Sequence, residues 1–132
     1  MKLATGVDLI DILRIREAID RHGERFVTRI FTQAEQNECA GRFSSLAARF
    51  AAKEATVKAL GCGIGDVGWL DIEVRGDENH APHLYLYGEG EKMARKLGLS
   101  DWSVSLSHTD TQAIAFVVAM GDSSSRKSTG TM

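Results

Sequence analysis

The sequence lacks the charge balance and the long apolar segments that mark two large classes of protein. Its 16 lysines and arginines face 18 aspartates and glutamates, giving a net charge of −2 at pH 7, whereas a general nucleic-acid-binding protein is expected to be basic. The longest apolar run, residues 113–120, is far too short to span a bilayer. We therefore expect neither nucleic acid nor a membrane as a partner.

Cysteine is also scarce, and the amino terminus has no apolar segment. Cys39 and Cys62 are far apart in the sequence, which argues against a cysteine metal site and favours a reducing compartment. Asp8 and Asp11 interrupt any apolar core of the kind found in signal peptides. We expect a cytoplasmic protein.

What is present is typical of one small globular domain. The chain has 132 residues, of which 43% are hydrophobic and 26% are charged, as in ordinary soluble proteins. We assign the domain to residues 1–120. Residues 121–132, GDSSSRKSTGTM, carry no apolar side chain before the last position, so they are predicted to form a disordered tail.

A long alanine-rich helix that ends at Gly61 is the main structural element predicted. Six alanines lie between Leu46 and Gly61, and alanine is the best helix former. Ser44 or Ser45 is expected to cap the start of this helix, and Gly61 to close its end in a left-handed conformation. Its apolar stripe, at helical spacing, consists of Leu46, Phe50, Val57 and Leu60.

This helix contains three charged side chains whose surroundings need an explanation. Lys53 falls inside the apolar stripe, where a lysine must reach water or find a partner. Glu54 and Lys58 are four residues apart on one face, and their simplest interpretation is an exposed ion pair worth about 0.2–0.5 kcal/mol. The many small alanines indicate instead that other elements approach closely, so that these charges are not free in water.

The first strand carries a carboxylate that needs an explanation. Alternation over residues 3–10 predicts a strand in which Asp8 shares a face with the small residues Ala4 and Gly6. A carboxylate inside an apolar strand is costly unless it is paired or holds a metal. The alternative is an aspartate near the strand end that reaches water or caps a turn.

A basic face follows on the next helix, predicted over residues 12–22 with Asp11 as its cap. Arg14, Arg21 and Arg25 lie opposite the isoleucines that face the core. A solvated face is the common interpretation. A docking surface for an acidic partner is the alternative.

The remaining patterns complete an α+β fold, with an antiparallel sheet packed against the long alanine-rich helix. Thr32 and Glu35 form a capping box for a short helix. The glycine-rich loop 61–68 can bring backbone N–H groups to a phosphate, although an ordinary loop is the simpler interpretation. His108 ends an apolar strand face, where a structural hydrogen bond is its common role. The other expected elements are strands 69–75 (with Leu70, Ile72 and Val74 inward), 83–87, 102–108 and 112–120, and a helix over 89–97.

Asp8 and Glu54 lie 46 positions apart on a predicted strand and a predicted helix. If they meet, they offer oxygen ligands to Mg²⁺, which is often held by one or two carboxylates together with substrate phosphates. Lys58, one turn beyond Glu54, would then face the phosphates. The three side chains are a candidate phosphoryl-transfer site.

Three segments resemble the motifs of one family. GVDLIDILRI at residues 6–15, RFAAKEATVKALG at 49–61 and SLSHTDTQAIAFVV at 105–118 resemble those of the holo-acyl-carrier-protein synthases, the small phosphopantetheinyl transferases of fatty-acid synthesis. The resemblance covers residues 1–120. It is weaker near Pro82, which is preceded by His80 and Ala81 where the family is expected to have a glycine and a lysine.

The resemblance implies a reaction in which 4′-phosphopantetheine moves from coenzyme A to a serine of apo-acyl carrier protein, releasing adenosine 3′,5′-bisphosphate. Asp8 and Glu54 match the magnesium ligands of the family, and Lys58 matches the lysine that meets the phosphates. The serine proton would go to a carboxylate or to a water on the metal, and both routes stay open.

The resemblance also implies the partners. Arg49, Gly61, Gly63 and His108, together with Lys58, match positions around coenzyme A. Arg14 matches the arginine that docks the carrier protein, and Arg21 and Arg25 would extend that surface. The family is homotrimeric with sites at subunit interfaces, so another subunit is expected to cover Lys53 and His108. The alternatives are a non-catalytic coenzyme A-binding regulator or scaffold, or a transferase that acts on polyketide carriers.

Overall fold

The computed structural model describes residues 1–122 and has the α+β architecture that the sequence predicts, with antiparallel strands packed against one long helix. In chain order the elements are β1 (Lys2–Asp11), α1 (Ile12–His22), α2 (Glu24–Ile30), α3 (Gln33–Cys39), α4 (Phe43–Leu60), a 3-10 turn (Trp69–Asp71), β2 (Ile72–Gly76), β3 (Pro82–Leu86), α5 (Gly88–Leu97), β4 (Asp101–His108) and β5 (Gln112–Gly121).

The strands form two antiparallel sheets. The larger has the order β1–β5–β4, and the smaller is the hairpin of β2 and β3. β1 and β5 pair along their whole length, from Lys2 opposite Gly121 to Asp11 opposite Gln112. Because side chains alternate along a strand, one face of the larger sheet packs on α4 and the other faces outward.

Helix α4 is the centre of the core. Five of its alanines are buried, and the inner face of β5 packs against the same cluster through Ala113, Ala115 and Val117. The helix begins at Phe43, with Arg42 at the N-cap position, so the predicted cap at Ser44 or Ser45 is wrong. Phe43 is half-buried, and Leu46 is buried in the core. Gly61 ends the helix with φ 72°, as predicted.

The segment before β2 differs from the prediction. Residues 69–71 form a 3-10 turn instead of strand, because the Asp71 carboxylate accepts a hydrogen bond from the Gly68 N–H at 3.0 Å. Leu70 is therefore 47% exposed instead of inward. Ile72 and Val74 are fully buried, as predicted.

The carboxyl end of the domain also extends further than predicted. Gly121, assigned to the tail from sequence, is the last residue of β5 and is buried. Asp122 follows β5 and is exposed. Residues 123–132 of the predicted tail lie outside the described residues, and their disorder stays a prediction. Within residues 1–122, no helix is both long and apolar enough to cross a membrane.

The outer face of the larger sheet is apolar. Cross-strand pairs place Leu3 opposite Met120, Val7 opposite Phe116 and Leu9 opposite Ile114. These six side chains are 38–66% exposed in the single chain. Exposed apolar patches of this kind mark interaction surfaces.

Candidate active site

Asp8 and Lys58 meet between β1 and α4. The alternation of β1 turns Asp8 toward the helix, on the face of the buried residues Gly6 and Ile10. Nζ of Lys58 donates to Oδ1 of Asp8 at 3.0 Å and to the carbonyl oxygen of Val7 at 2.9 Å. Among the described residues, Lys58 forms an ion pair with Asp8 and not with Glu54. The exposed ion pair between Glu54 and Lys58, which is the simplest interpretation of the sequence, therefore does not form.

Glu54 lies beside this pair and is electrostatically coupled to it. Burial raises the pKa of Glu54, and the negative charge of Asp8 raises it further, while Lys58 and Arg14 act in the opposite direction. The two carboxylates are therefore close enough to repel each other. The structure brings together the three side chains that the sequence proposed as a site.

This arrangement fits a magnesium ion. Two neighbouring carboxylates supply hard oxygen donors, and a bound cation would offset the burial and the repulsion from Asp8 that raise the pKa of Glu54. Lys58 is 53% exposed, so the site is open to a ligand. Residues 1–122 contain no cluster of three or more histidine, cysteine or acidic side chains suited to a metal. An all-protein cage is therefore absent from this part of the chain, and the carboxylate pair is the candidate.

The glycine-rich loop leaves the same end of α4. Gly61 closes the helix one turn beyond Lys58, and a side-chain carbon at Gly61 or Gly63 would meet no atom within 4 Å. The backbone at both positions is thus open for a ligand to approach. Their role in binding stays a prediction.

Arg49 and His108 are not part of this cluster in the single chain. Nη2 of Arg49 lies 2.8 Å from Oε1 of Glu38, Nε donates to the Val74 carbonyl oxygen at 3.2 Å, and the side chain is 12% exposed. His108 is exposed at the end of β4, with Nδ1 3.2 Å from the carbonyl oxygen of Thr109. Neither has a described hydrogen bond or ion pair to the three site residues. Their predicted contact with coenzyme A stays a prediction.

The predicted docking arginines are exposed, and one of them is near the site. Arg14, Arg21 and Arg25 all face solvent, and the charge of Arg14 acts on Glu54, where it partly offsets the rise in pKa that burial and Asp8 cause. The sequence reasoning missed a groove of about 490 Å³ next to Arg25. The sequence does contain an indication of this groove, because a further arginine, Arg29, lies four residues after Arg25. The groove is lined by His22, Arg25, Phe26, Arg29, Ile30 and Trp69.

Lys53 has a partner within its own chain. Its ammonium lies 2.7 Å from Oε1 of Glu35, and both side chains are 0% exposed. The expectation that another subunit covers Lys53 is therefore wrong, because α3 supplies the counter-charge. Glu35 also completes the predicted capping box with Thr32.

The two cysteines lie outside this chemistry. Burial raises the pKa of the Cys39 thiol to about 11, and it also raises the pKa of the partly buried Cys62. Both thiols are thus protonated at neutral pH, and the thiolate is the nucleophilic form. Neither cysteine is therefore a candidate nucleophile.

Comparisons with known proteins identify the family. Residues 4–117 match the family model ACPS, described as the 4′-phosphopantetheinyl transferase superfamily. The holo-[acyl-carrier-protein] synthase of Herpetosiphon aurantiacus is 51% identical over 126 residues, covering 90% of this chain and 99% of the relative.

Solved structures agree. The holo-[acyl-carrier-protein] synthase of Helicobacter pylori, in complex with coenzyme A, superposes with a TM-score of 0.81 at 32% identity, over 88% of this chain and 99% of the other. The corresponding Bacillus anthracis enzyme, in complex with CoA (3′,5′-ADP), gives a TM-score of 0.74 at 34% identity, over 90% and 96% of the two chains. The resemblance of the three motifs is confirmed, and the chain belongs to the 4′-phosphopantetheinyl transferase superfamily.

Proposed function

We propose that this protein is a magnesium-dependent holo-acyl-carrier-protein synthase of fatty-acid biosynthesis, acting in the cytoplasm. It transfers 4′-phosphopantetheine from coenzyme A to a serine of apo-acyl carrier protein and releases adenosine 3′,5′-bisphosphate. The observation that carries this proposal is the meeting of Asp8, Glu54 and Lys58 between β1 and α4. A non-catalytic protein that only binds coenzyme A would not need all three side chains.

The three side chains have separate roles in this proposal. Asp8 and Glu54 would hold Mg²⁺, which when bound neutralises phosphate charge and polarises the phosphorus under attack. The serine hydroxyl would lose its proton to a carboxylate or to water. Its oxygen would form a bond to that phosphorus while the bond from the phosphorus to the bridging oxygen of the pyrophosphate breaks, with adenosine 3′,5′-bisphosphate as the leaving group. Lys58 carries the positive charge that meets this leaving oxygen, and its contacts with Asp8 and the Val7 carbonyl orient its ammonium before substrate arrives.

Coenzyme A would lie across the carboxyl end of α4. The open backbone at Gly61 and Gly63 supports close approach of the nucleotide there. Arg49 and His108 do not contact the carboxylate pair of their own chain, so we propose that they serve a site shared with a neighbouring subunit.

A homotrimer would bring such sites together. Support comes from the exposed apolar face of the larger sheet, where Val7 and Phe116 are 49% and 45% exposed. Burial of apolar surface contributes about 25 cal/mol per Å², so this face favours self-association. The choice of three subunits rests on the family resemblance.

The carrier protein would dock on the exposed arginines of α1 and α2. An acidic surface is attracted to Arg14, Arg21 and Arg25, and the neighbouring groove adds Arg29. Since the charge of Arg14 reaches Glu54, a carrier bound there presents its serine close to the carboxylate pair.

The release of adenosine 3′,5′-bisphosphate tests this function. Chromatography of a mixture of protein, coenzyme A, Mg²⁺ and apo-carrier should show this product, and omission of the carrier or addition of EDTA should abolish it. Binding of coenzyme A without product in the complete mixture would favour a regulator and contradict the proposal.

A further inference from the structure

Lys53 makes a set of buried polar contacts that the proposed chemistry does not use. Nζ of Lys53 donates to the carbonyl oxygens of Ile30 at 2.8 Å, Ile72 at 2.7 Å and Trp69 at 3.0 Å. Together with Glu35 at 2.7 Å, these acceptors come from four separate elements: α2, the 3-10 turn, β2 and α3. One ammonium group therefore joins α4 to these four elements.

The Glu35 carboxylate, which pairs with this ammonium, also accepts a hydrogen bond at each of its two oxygens. Oε1 of Glu35 accepts the Thr32 N–H at 2.9 Å, and Oε2 accepts the Val74 N–H at 2.8 Å. A buried charge pair is stabilising only when its remaining hydrogen-bonding positions are satisfied. Here they are satisfied by backbone groups, so the position of Nζ is closely determined.

Helix α4 needs an anchor of this kind. Over residues 47–55 its buried apolar side chains are all alanine, with Ala47, Ala51, Ala52 and Ala55 all 0% exposed, and the larger buried side chains lie toward its two ends, at Leu46, Val57 and Leu60. Methyl groups present shallow ridges, so they resist rotation of a helix about its axis less than large interlocking side chains do. Directional hydrogen bonds from Lys53 supply resistance to rotation in this alanine-rich middle part of the helix.

The rotation of α4 decides where Glu54 points. Lys53 and Glu54 are consecutive, so they project about 100° apart around the helix. Lys53 is fixed toward the side of α3 and β2, whereas Glu54 and Lys58 lie toward Asp8 on β1. A functional constellation tolerates errors of only about 10–20°, and a rotation of α4 would move Glu54 and Lys58 together relative to Asp8.

We propose that Lys53 is a positioning residue for the candidate magnesium and phosphate site, because its ammonium fixes the rotation of α4 and thereby aims Glu54 and Lys58 at Asp8. The inference rests on the proposed function, since it assigns Lys53 a role in that same site. Lys53 touches neither substrate nor metal in this account. It acts through the helix that carries the residues that do.

The test replaces the anchor without leaving a charge buried. The double variant Lys53→Met/Glu35→Gln removes both charges, and the amide oxygen introduced by Glu35→Gln can still accept one of the two backbone N–H groups that Glu35 binds. Replacing both partners is far less destabilising than removing one. We expect the Mg²⁺ concentration for half-maximal transfer to rise about 10–100-fold, the range seen when groups that orient metal ligands are lost.

A second readout is Mg²⁺ binding to the coenzyme A-loaded protein, measured by isothermal titration calorimetry. It should weaken in parallel, while the KM for the carrier stays unchanged. Leu46→Ala is the matched control, because Leu46 is a buried apolar residue of the same helix. Assayed below its melting temperature, this control should lose stability and keep the wild-type Mg²⁺ requirement.

A folded double variant with wild-type Mg²⁺ binding and wild-type turnover would overturn the positioning role. If the double variant does not fold, Lys53→Arg is measured in its place. It keeps a cation against Glu35 but presents a planar set of donors. A raised Mg²⁺ requirement in this variant supports the inference, and an unchanged one overturns it.

Failure of the proposed function gives a different result. If the wild-type protein transfers nothing to the carrier, the function fails, and calorimetry with Mg²⁺ alone decides whether Lys53 positions the carboxylates. If the wild-type protein transfers the group normally, the results for the Lys53 variants alone test the positioning role.

Discussion

Gly6 of β1 lies against the backbone of Ala55 in α4 so closely that a methyl group at Gly6 would overlap the Ala55 carbonyl oxygen. Asp8 follows two residues later on the same face of the strand, and Glu54 precedes Ala55 on the helix. The absence of a side chain at Gly6 therefore sets the distance between the two elements that carry the candidate site.

Gly6→Ala should damage both the fold and the site. Overpacking of this kind costs about 1–3 kcal/mol, which urea denaturation measures. Transfer activity should fall by more than the loss of folded protein explains, because β1 moves away from α4. Gly63→Ala is the stability control, since that position is open. Equal stability of Gly6→Ala and wild type would show that the close approach is not required.

Glu54→Gln should abolish turnover while raising stability. The raised pKa of Glu54 means that the fold disfavours its ionised form. That cost is absent below the unfolded-state pKa and develops as the pH rises through the folded-state pKa. At pH 7 without metal, the variant should melt at a higher temperature than wild type, and the difference should shrink as the pH is lowered through the raised pKa.

Activity of Glu54→Gln should fall about 100-fold or more, because loss of groups that merely orient metal ligands already costs about 10–100-fold. Calorimetric scans at several pH values and a transfer assay make the two measurements. Normal turnover, or a lower melting temperature than wild type at pH 7, would refute the assignment of Glu54 to a strained carboxylate pair.

Arg14→Ala should weaken the interaction with the carrier protein. Loss of one exposed charge contact is worth up to about 1 kcal/mol, so the KM for the carrier should rise up to about fivefold at low salt, and the difference should fade as salt is added. Arg95→Ala is the control, because Arg95 is an exposed arginine paired on α5. A change confined to the KM for coenzyme A would place the docking surface elsewhere.

Phe116→Glu should separate the subunits. It puts a charge at the centre of the exposed apolar face, opposite Val7. Sedimentation should give about three times the 14.4 kDa chain mass for wild type and one chain mass for the variant, with loss of activity if the sites are shared. Leu70→Glu changes an exposed apolar residue outside this sheet and should stay assembled. A monomeric wild type would contradict the proposed trimer.

Periodicity was sufficient to predict the parts of the site that depend on single elements. The two-residue repeat of β1 predicts that Asp8 points inward, and the helical repeat predicts that Glu54 and Lys58 share one face of α4. In the structure Asp8 lies against that face, close to both side chains. The pairing itself was not predictable in this way. Lys58 bonds to Asp8 and to the Val7 carbonyl, acceptors that only the packing of β1 on α4 supplies.

Lys53 shows the same limit more clearly. Its place in the apolar stripe signalled that it needed a partner, but nothing in local spacing indicates Glu35, which reaches it from another helix. The 3-10 turn at Leu70 was missed for a related reason. One hydrogen bond from the Gly68 N–H to the Asp71 carboxylate outweighs the strand-like alternation of that segment.

The most direct measurement of the central claim is the intact mass of apo-acyl carrier protein after incubation with this protein, coenzyme A and Mg²⁺. A gain of about 340 Da, the mass of the phosphopantetheine arm of a group carrier, is expected with Mg²⁺, and no gain is expected with EDTA. An unchanged carrier mass in the presence of Mg²⁺, with coenzyme A bound to the protein, would contradict it.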